Sequence, residues 1–317
     1  MKSSPVPTAW QSVYVISYNI TFSAYAKRRR RRILELETIN IFYLNFVADA
    51  LIYVRNFILY IGFWLFGYIV VCCFVYRRYA RKLPTRTRGS LGAKRVLLIV
   101  AHPDDECMFF GPTIFRLCEQ GAEVYILCLS NGNFEGKGNI RATELWKACT
   151  ELGVPESNII LINDTRLPDS PKTHWPVPVV AKLIQHHLEA YDIDTLVTFD
   201  RGGISGHPNH SAAFYAVAYI FVEKNMPQKC TVYTLDSVNI IRKYLGVFDL
   251  PLSFILSSKR YFLRWTESRR VVRAMKHHKS QMVWFRYLYV MFSRYMVINT
   301  LRRISLADIE LELEVDD

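Results

Sequence analysis

Residues 95–106 read RVLLIVAHPDDE: an apolar run, then His102, Asp104, Asp105 and Glu106, four ionisable side chains within five residues. The run predicts a short strand, Arg95–Ala101, rich in branched aliphatic side chains. Four such groups directly after it are costly to bury without partners. Outward from this stretch the pattern repeats. Further strands are expected at Glu123–Leu129, Asn158–Ile162, Thr195–Phe199 and Cys230–Leu235, with helices over 111–120, 140–152, 177–190 and 209–222. Strand–helix alternation at this spacing predicts an α/β domain with a Rossmann-like, mainly parallel sheet and helices on both faces. Ligands in such sheets bind at the carboxyl ends of the strands.

The chemistry-bearing residues fall at those ends. His102 supplies an imidazole and an adjacent Asp a carboxylate for a divalent ion, while the second Asp can stay unbound as a base. The fourth strand runs into DRGGISGHPNH, residues 200–210. Three glycines in five residues allow an irregular loop that approaches a ligand closely. His207 and His210 are three apart, with Pro208 suited to a first helical turn. One ligand from this second loop would complete a three-ligand site with an open position, the arrangement of a catalytic metal, most readily Zn²⁺.

The joined motifs, AHPDDE at 101–106, SNGN at 130–133, RATEL at 141–145, GHPNH at 206–210 and the stretch from Ser280-Gln281 to Trp284-Phe285-Arg286, resemble the PIG-L family of metal-dependent de-N-acetylases. The resemblance covers about 94–300 and is strongest to the branch acting on N-acetylglucosaminyl-phosphatidylinositol. It implies zinc ligands His102, Asp105 and His210, Asp104 as general base, and a protonated His207 stabilising the oxyanion. It also implies removal of acetate from that lipid during glycosylphosphatidylinositol synthesis, with the catalytic domain on the cytosolic face of the endoplasmic reticulum membrane. Arg141 is expected near the substrate phosphate, or else in an ion pair with Glu144. Asp164 is expected at sugar hydroxyls, or else in an ordinary turn. Glu106 is expected to support the ligands or the helix start rather than bind metal.

Charge and hydropathy organise the rest. The chain carries +12, but residues 1–95 hold 16 Lys and Arg against 3 Asp and Glu, and the remainder is near neutral. The basicity therefore belongs to an N-terminal arm and argues against nucleic acid as partner. Within the arm, 57–76 is 20 uncharged residues, enough to cross a bilayer core. Arg77, Arg78, Arg81, Lys82, Arg86 and Arg88 follow it, placing the later residues in the cytosol by the positive-inside rule. A second span over 38–54 would leave only Arg55-Asn56 as a connection, so a single span is expected. The Lys27–Arg32 run has no assigned role. Seven cysteines without a C-x-x-C pair predict free thiols.

The expected organisation is a 1–56 extension, a 57–76 transmembrane helix, a 77–93 basic linker, the 94–300 catalytic domain and a 301–317 tail. Val247–Leu256 is apolar, and Met282–Ile298 reads as an interfacial helix with snorkelling Arg286 and Arg294, or as a core helix. The lipid-linked substrate and membrane lipids are the expected partners. Competing readings are deacetylation of another N-acetylglucosaminyl conjugate and a non-catalytic sugar-lipid binder. The retained base, Asp104, argues against a mere binder.

Overall fold

The computed structural model describes residues 8–82 and 91–314. Residues 1–7 of the extension, 83–90 of the basic linker with Arg86 and Arg88, and 315–317 of the tail lie outside the described residues. The chain divides into two units, Met1–Tyr68 and Ile69–Asp317. Helix α1 runs without a break from Thr8 to Lys82, so no turn forms at Arg55-Asn56. Residues 27–67 of α1 are exposed, including Phe57, Leu59, Phe63, Trp64 and Phe66. An apolar surface of this kind on a long helix is suited to lipid.

The second unit holds one seven-stranded sheet among the described residues, in the order β3-β2-β1-β4-β5-β7-β6. In chain order its elements are β1 Arg95–Val100, α2 Gly111–Glu119, β2 Glu123–Cys128, α3 Gly138–Leu152, β3 Ile159–Leu161, α4 Val177–Ala190, β4 Thr195–Phe199, α5 Pro208–Val222 and β5 Thr231–Leu235. After these come α6 Ile240–Lys243, α7 Leu250–Leu256, β6 Lys259–Phe262, α8 Trp265–His277, α9 Trp284–Phe292, β7 Ile298–Ile304 and α10 Leu306–Glu314. Strands β1 to β5 are parallel, whereas β7 pairs antiparallel with both β5 and β6.

Alternation along β1 builds two core layers. Val96, Leu98 and Val100 face one layer with Ile114, Leu117, Leu145, Val271 and Met275. Leu97, Ile99 and Ala101 face the other with Val180, Ile184, Phe214 and Val217. The two-residue period of a strand delivers both layers from one apolar run. β1 pairs with β2 on one side and β4 on the other, so strand order reverses between β1 and β4. That reversal opens the crevice where the loops after β1 and β4 meet.

The C-terminal third departs from expectation. Met282–Ile298 is not one helix: α9 ends at Phe292, a short 3₁₀ turn follows, and Ile298 opens β7. Arg294 does not snorkel. It is completely buried, 3.1 Å from Asp249 Oδ2, with Nη2 3.2 Å from Thr300 Oγ1. A boundary at residue 300 falls inside β7, and Ile309 beyond it is buried in the core. The basic residues 77–82 continue α1, and Val75, Tyr76 and Ala80 pack against Leu250, Phe262 and Ile298. No disulfide pairs any of the seven cysteines among the described residues.

Candidate active site

The loop after β1 turns sharply at Asp104, whose φ of 118° lies in the left-handed region that a side chain rarely adopts. The turn brings the Asp104 backbone N–H to Glu106 Oε2 at 2.9 Å. It also lets Asp105 Oδ2 accept from the N–H groups of Ala101 and His102 at 3.1 and 2.8 Å. Glu106 is in turn held by buried His278, Nε2 to Oε1 2.6 Å.

The loop after β4 delivers the second half. Gly203 has φ +55°, and a Cβ there would lie 2.9 Å from His210 Cβ, so only glycine lets the loop pass. Its carbonyl lies 3.0 Å from His210 Nδ1. That contact directs Nε2 toward the carboxylate of Asp105, 3.3 Å from Oδ1. Phe199 stacks on the His210 ring at 4.3 Å. His102 Nδ1 is 3.6 Å from Asp105 Oδ2. His102, Asp105 and His210 are all buried, and their ligand atoms lie within 4.8 Å of one another.

The structure therefore brings together all five residues expected at the centre. His207 caps α5, its Nδ1 accepting from the Asn209 N–H at 3.3 Å. Its ring centroid lies 5.0 Å from those of His102 and His210. Burial, with the positive charge of the neighbouring imidazoles, lowers its pKa to about 4. That shift favours a neutral imidazole at His207, where the resemblance implies an imidazolium. Nδ1 is an acceptor, so Nε2 carries the proton.

Burial raises the Asp104 carboxyl above its ordinary value, against the pull of Arg286 and Arg141. Burial acts on Asp105 in the same direction, but His210 and the His102 hydrogen bond outweigh it and hold that carboxyl well below the usual range. Two adjacent aspartates are thereby set apart, one as a permanent anion and one as a proton acceptor with raised affinity.

Arg141 and Asp164 sit elsewhere in the chemistry than expected. Arg141 is buried, donating to Pro103 O at 2.6 Å, Gly132 O at 2.9 Å and Asp169 Oδ2 at 3.0 Å. It ties together the loops after β1 and β2 and lines the cleft beside Asp104. Glu144 accepts instead from Ser280 N and Oγ at 2.8 and 2.6 Å. Gly132, with φ +69°, makes room for the guanidinium. Asp164 pairs with exposed Arg166 at 2.6 Å and lines a separate small cleft.

Two residues were missed. Asp169 lies 3.2 Å from His102 Nε2, making a second group of possible ligands with His102 and His207. Its surroundings, Pro168-Asp169-Ser170-Pro171, carry only turn chemistry in sequence. Arg286 Nη2 lies 3.1 Å from Asp104 Oδ2, an oxygen otherwise buried without a hydrogen bond. Its signal was its place in the Ser280–Arg286 motif.

The site opens into a cleft of about 490 Å³, floored by His102, Asp104, Asp105, His207 and His210 and rimmed by Lys243, Tyr244, Phe285 and Arg286. Two buried imidazoles and an ionised carboxylate form a donor set suited to a divalent metal with an open position.

The chain is similar to known proteins. Residues 97–221 match the PIG-L family, described as GlcNAc-PI de-N-acetylase. The N-acetylglucosaminyl-phosphatidylinositol de-N-acetylase of Bos taurus is 46% identical over 211 residues, covering 66% of this chain and 83% of that protein. The probable enzyme of the same name in Schizosaccharomyces pombe is 41% identical over 222 residues, covering 68% and 88%. A solved N,N'-diacetylchitobiose deacetylase from Pyrococcus horikoshii is similar at a TM-score of 0.48 and 18% identity, covering 67% of this chain and 84% of that one. Identity of 46% over more than four-fifths of a relative, with AHPDDE and GHPNH closing on one crevice, means that this chain belongs to the PIG-L family.

Proposed function

We propose that this protein hydrolyses the acetamide of N-acetylglucosaminyl-phosphatidylinositol to acetate and glucosaminyl-phosphatidylinositol, a step of glycosylphosphatidylinositol-anchor biosynthesis. The observation that carries the reading is Asp104, a carboxylate of raised proton affinity at the floor of a cleft beside three converging metal-ligand side chains. Its names are those of the relatives at 46% and 41% identity.

His102, Asp105 and His210 would hold the metal, which we assign as Zn²⁺. When bound, such an ion lowers the pKa of a coordinated water to about 7 and polarises a carbonyl. Asp104 accepts the water proton as the new C–O bond forms. His207 donates from Nε2 to the carbonyl oxygen as it gains negative charge. Asp104 then returns the proton to the departing nitrogen as the C–N bond breaks, giving acetate and the free amine. Arg286 keeps the Asp104 side chain aimed into the cleft. Arg141 donates to the protein through Nη1 and Nη2, and Lys243 and Arg286 are further cations lining the cleft that could meet the substrate's phosphate. The uncharged 57–76 stretch and the basic residues after it support a cytosolic catalytic domain at the endoplasmic reticulum membrane.

The test is mass spectrometry of products after incubation with N-acetylglucosaminyl-phosphatidylinositol. The wild type should release acetate and the free amine. Asp104→Asn should retain metal while losing about 10²–10⁴-fold in turnover. Metal content and rate are measured on one preparation, and wild-type turnover in that variant would remove Asp104 from the mechanism.

A further inference from the structure

The body presents an apolar face that its own core leaves bare. On α6 and α7, Ile240, Ile241, Ile255 and Leu256 are 73%, 71%, 79% and 66% exposed. On α9, Trp284, Tyr287 and Met291 are 74%, 56% and 65% exposed. These elements adjoin one another: Gly246, between α6 and α7, approaches the Phe292 carbonyl, and a groove of about 700 Å³ runs between the 244–248 segment and α9. None of the residues lining that groove is acidic, and Arg269 and Lys276 stand exposed along it. Exposed apolar side chains on neighbouring elements, with a basic border along the groove, fit an anionic lipid interface.

The depth of this face is set by α1. Cys72 is buried against the body, with its Sγ 3.8 Å from the Phe248 carbonyl. Tyr79 packs on Phe254 at 3.8 Å between ring centroids, and Tyr76 on Phe262 at 5.6 Å. Cys72 lies four residues inside the end of the uncharged 57–76 stretch, about 6 Å along a helix axis. Residues 69–76, the end of that stretch, belong to the same unit as the body, so where they enter a leaflet they hold the 246–256 segment at the level of the lipid headgroups and upper acyl chains.

We infer that α6, the 246–256 segment and the outer face of α9 form a second, shallow membrane-inserted surface whose partner is the bilayer leaflet itself. The same elements carry Lys243, Tyr244, Phe285 and Arg286, the rim of the metal-ligand cleft. The cleft mouth thus opens at the leaflet surface, and a lipid-linked sugar reaches Asp104 without its acyl chains leaving the bilayer. This consequence rests on the proposed activity; the docking does not.

The experiment uses the full chain reconstituted in phospholipid vesicles containing phosphatidylinositol. A p-benzoylphenylalanine photoprobe is placed singly at 64, 255, 284 and 189. Position 64 is the membrane control, and Glu189, exposed on α4 of the opposite layer, is the aqueous control. Lipid adducts are expected at 64, 255 and 284 and not at 189. Adducts at 64 without any at 255 and 284 overturn the inference. Protein adducts at 255 and 284 in place of lipid assign the face to a protein partner and overturn it equally. Because 255 and 284 are exposed positions, folding is not at stake, and normal release of acetate from a soluble N-acetylglucosaminyl-inositol verifies it. Loss of that hydrolysis in the unprobed chain would sink the proposed activity while leaving the adduct result to stand by itself.

Discussion

At the residue scale, division of labour between neighbours is the main result. Asp104 and Asp105 are adjacent in sequence, yet one faces arginine and the other two histidines, so their proton affinities move apart. The histidines divide in the same way. His210 has Nδ1 against the Gly203 carbonyl and Nε2 facing Asp105, whereas His207 caps α5 through Nδ1. His210→Ala should therefore lose metal and activity together, since two protein ligands rarely retain a catalytic zinc. His207→Ala should keep the metal and lose about 10²–10³-fold in kcat, the usual effect of removing one oxyanion donor. Metal analysis and kinetics on the same samples check both. If His207→Ala loses the metal and His210→Ala keeps it, the ion is held by His102, Asp169 and His207 instead.

At the element scale, α8 shows how the outer layer is locked. Arg264 precedes the helix, and its backbone N–H donates to Glu267 Oε2 at 2.7 Å, closing a capping box. Arg116, buried on α2, donates to Glu267 Oε1 at 3.2 Å. Burial raises the Glu267 carboxyl, but the hydrogen bonds from Arg264 and Arg116 outweigh it and hold it below 4.5. A depressed carboxyl stabilises the fold above its unfolded value and loses that contribution as pH falls through the folded one. Glu267→Gln should lower stability by about 1.5–3 kcal/mol at neutral pH, the range for hydrogen bonds to charged groups. The gap to wild type should be full above pH 4.5 and close as pH drops further. Thermal melting across pH measures it, and a gap that widens in acid would refute the assignment.

At the scale of the whole molecule, charge separates the basic N-terminal arm from the near-neutral body. The arm supplies the only helix, among the described residues, long and apolar enough to cross a membrane. If the orientation proposed above holds, protease added to sealed microsomes should digest the body completely. Detergent should be unnecessary for that digestion. A body protected until detergent is added would place it in the lumen.

The sequence alone determined the parallel core and its chemistry. Short branched-aliphatic runs alternating with amphipathic helices admit few other folds, and β4 and α4 begin and end where their patterns do. His102, Asp104, Asp105, His207 and His210 were legible because each set is compact in sequence and lies in the loop that follows a strand, after β1 and after β4. Only the tertiary structure decided the rest. Strands β6, four residues, and β7, seven residues, are interrupted by Lys and Arg in sequence, and become strands because they complete a sheet edge that local pattern does not record. Arg294 looked like a snorkelling side chain until Asp249, 45 residues away in sequence, supplied its buried counter-charge. Arg141, Asp169 and Arg286 acquire their parts by the same route. A hydrogen bond or ion pair is a matter of distance in space, and three loops far apart in sequence meet only because the sheet reverses its strand order between β1 and β4.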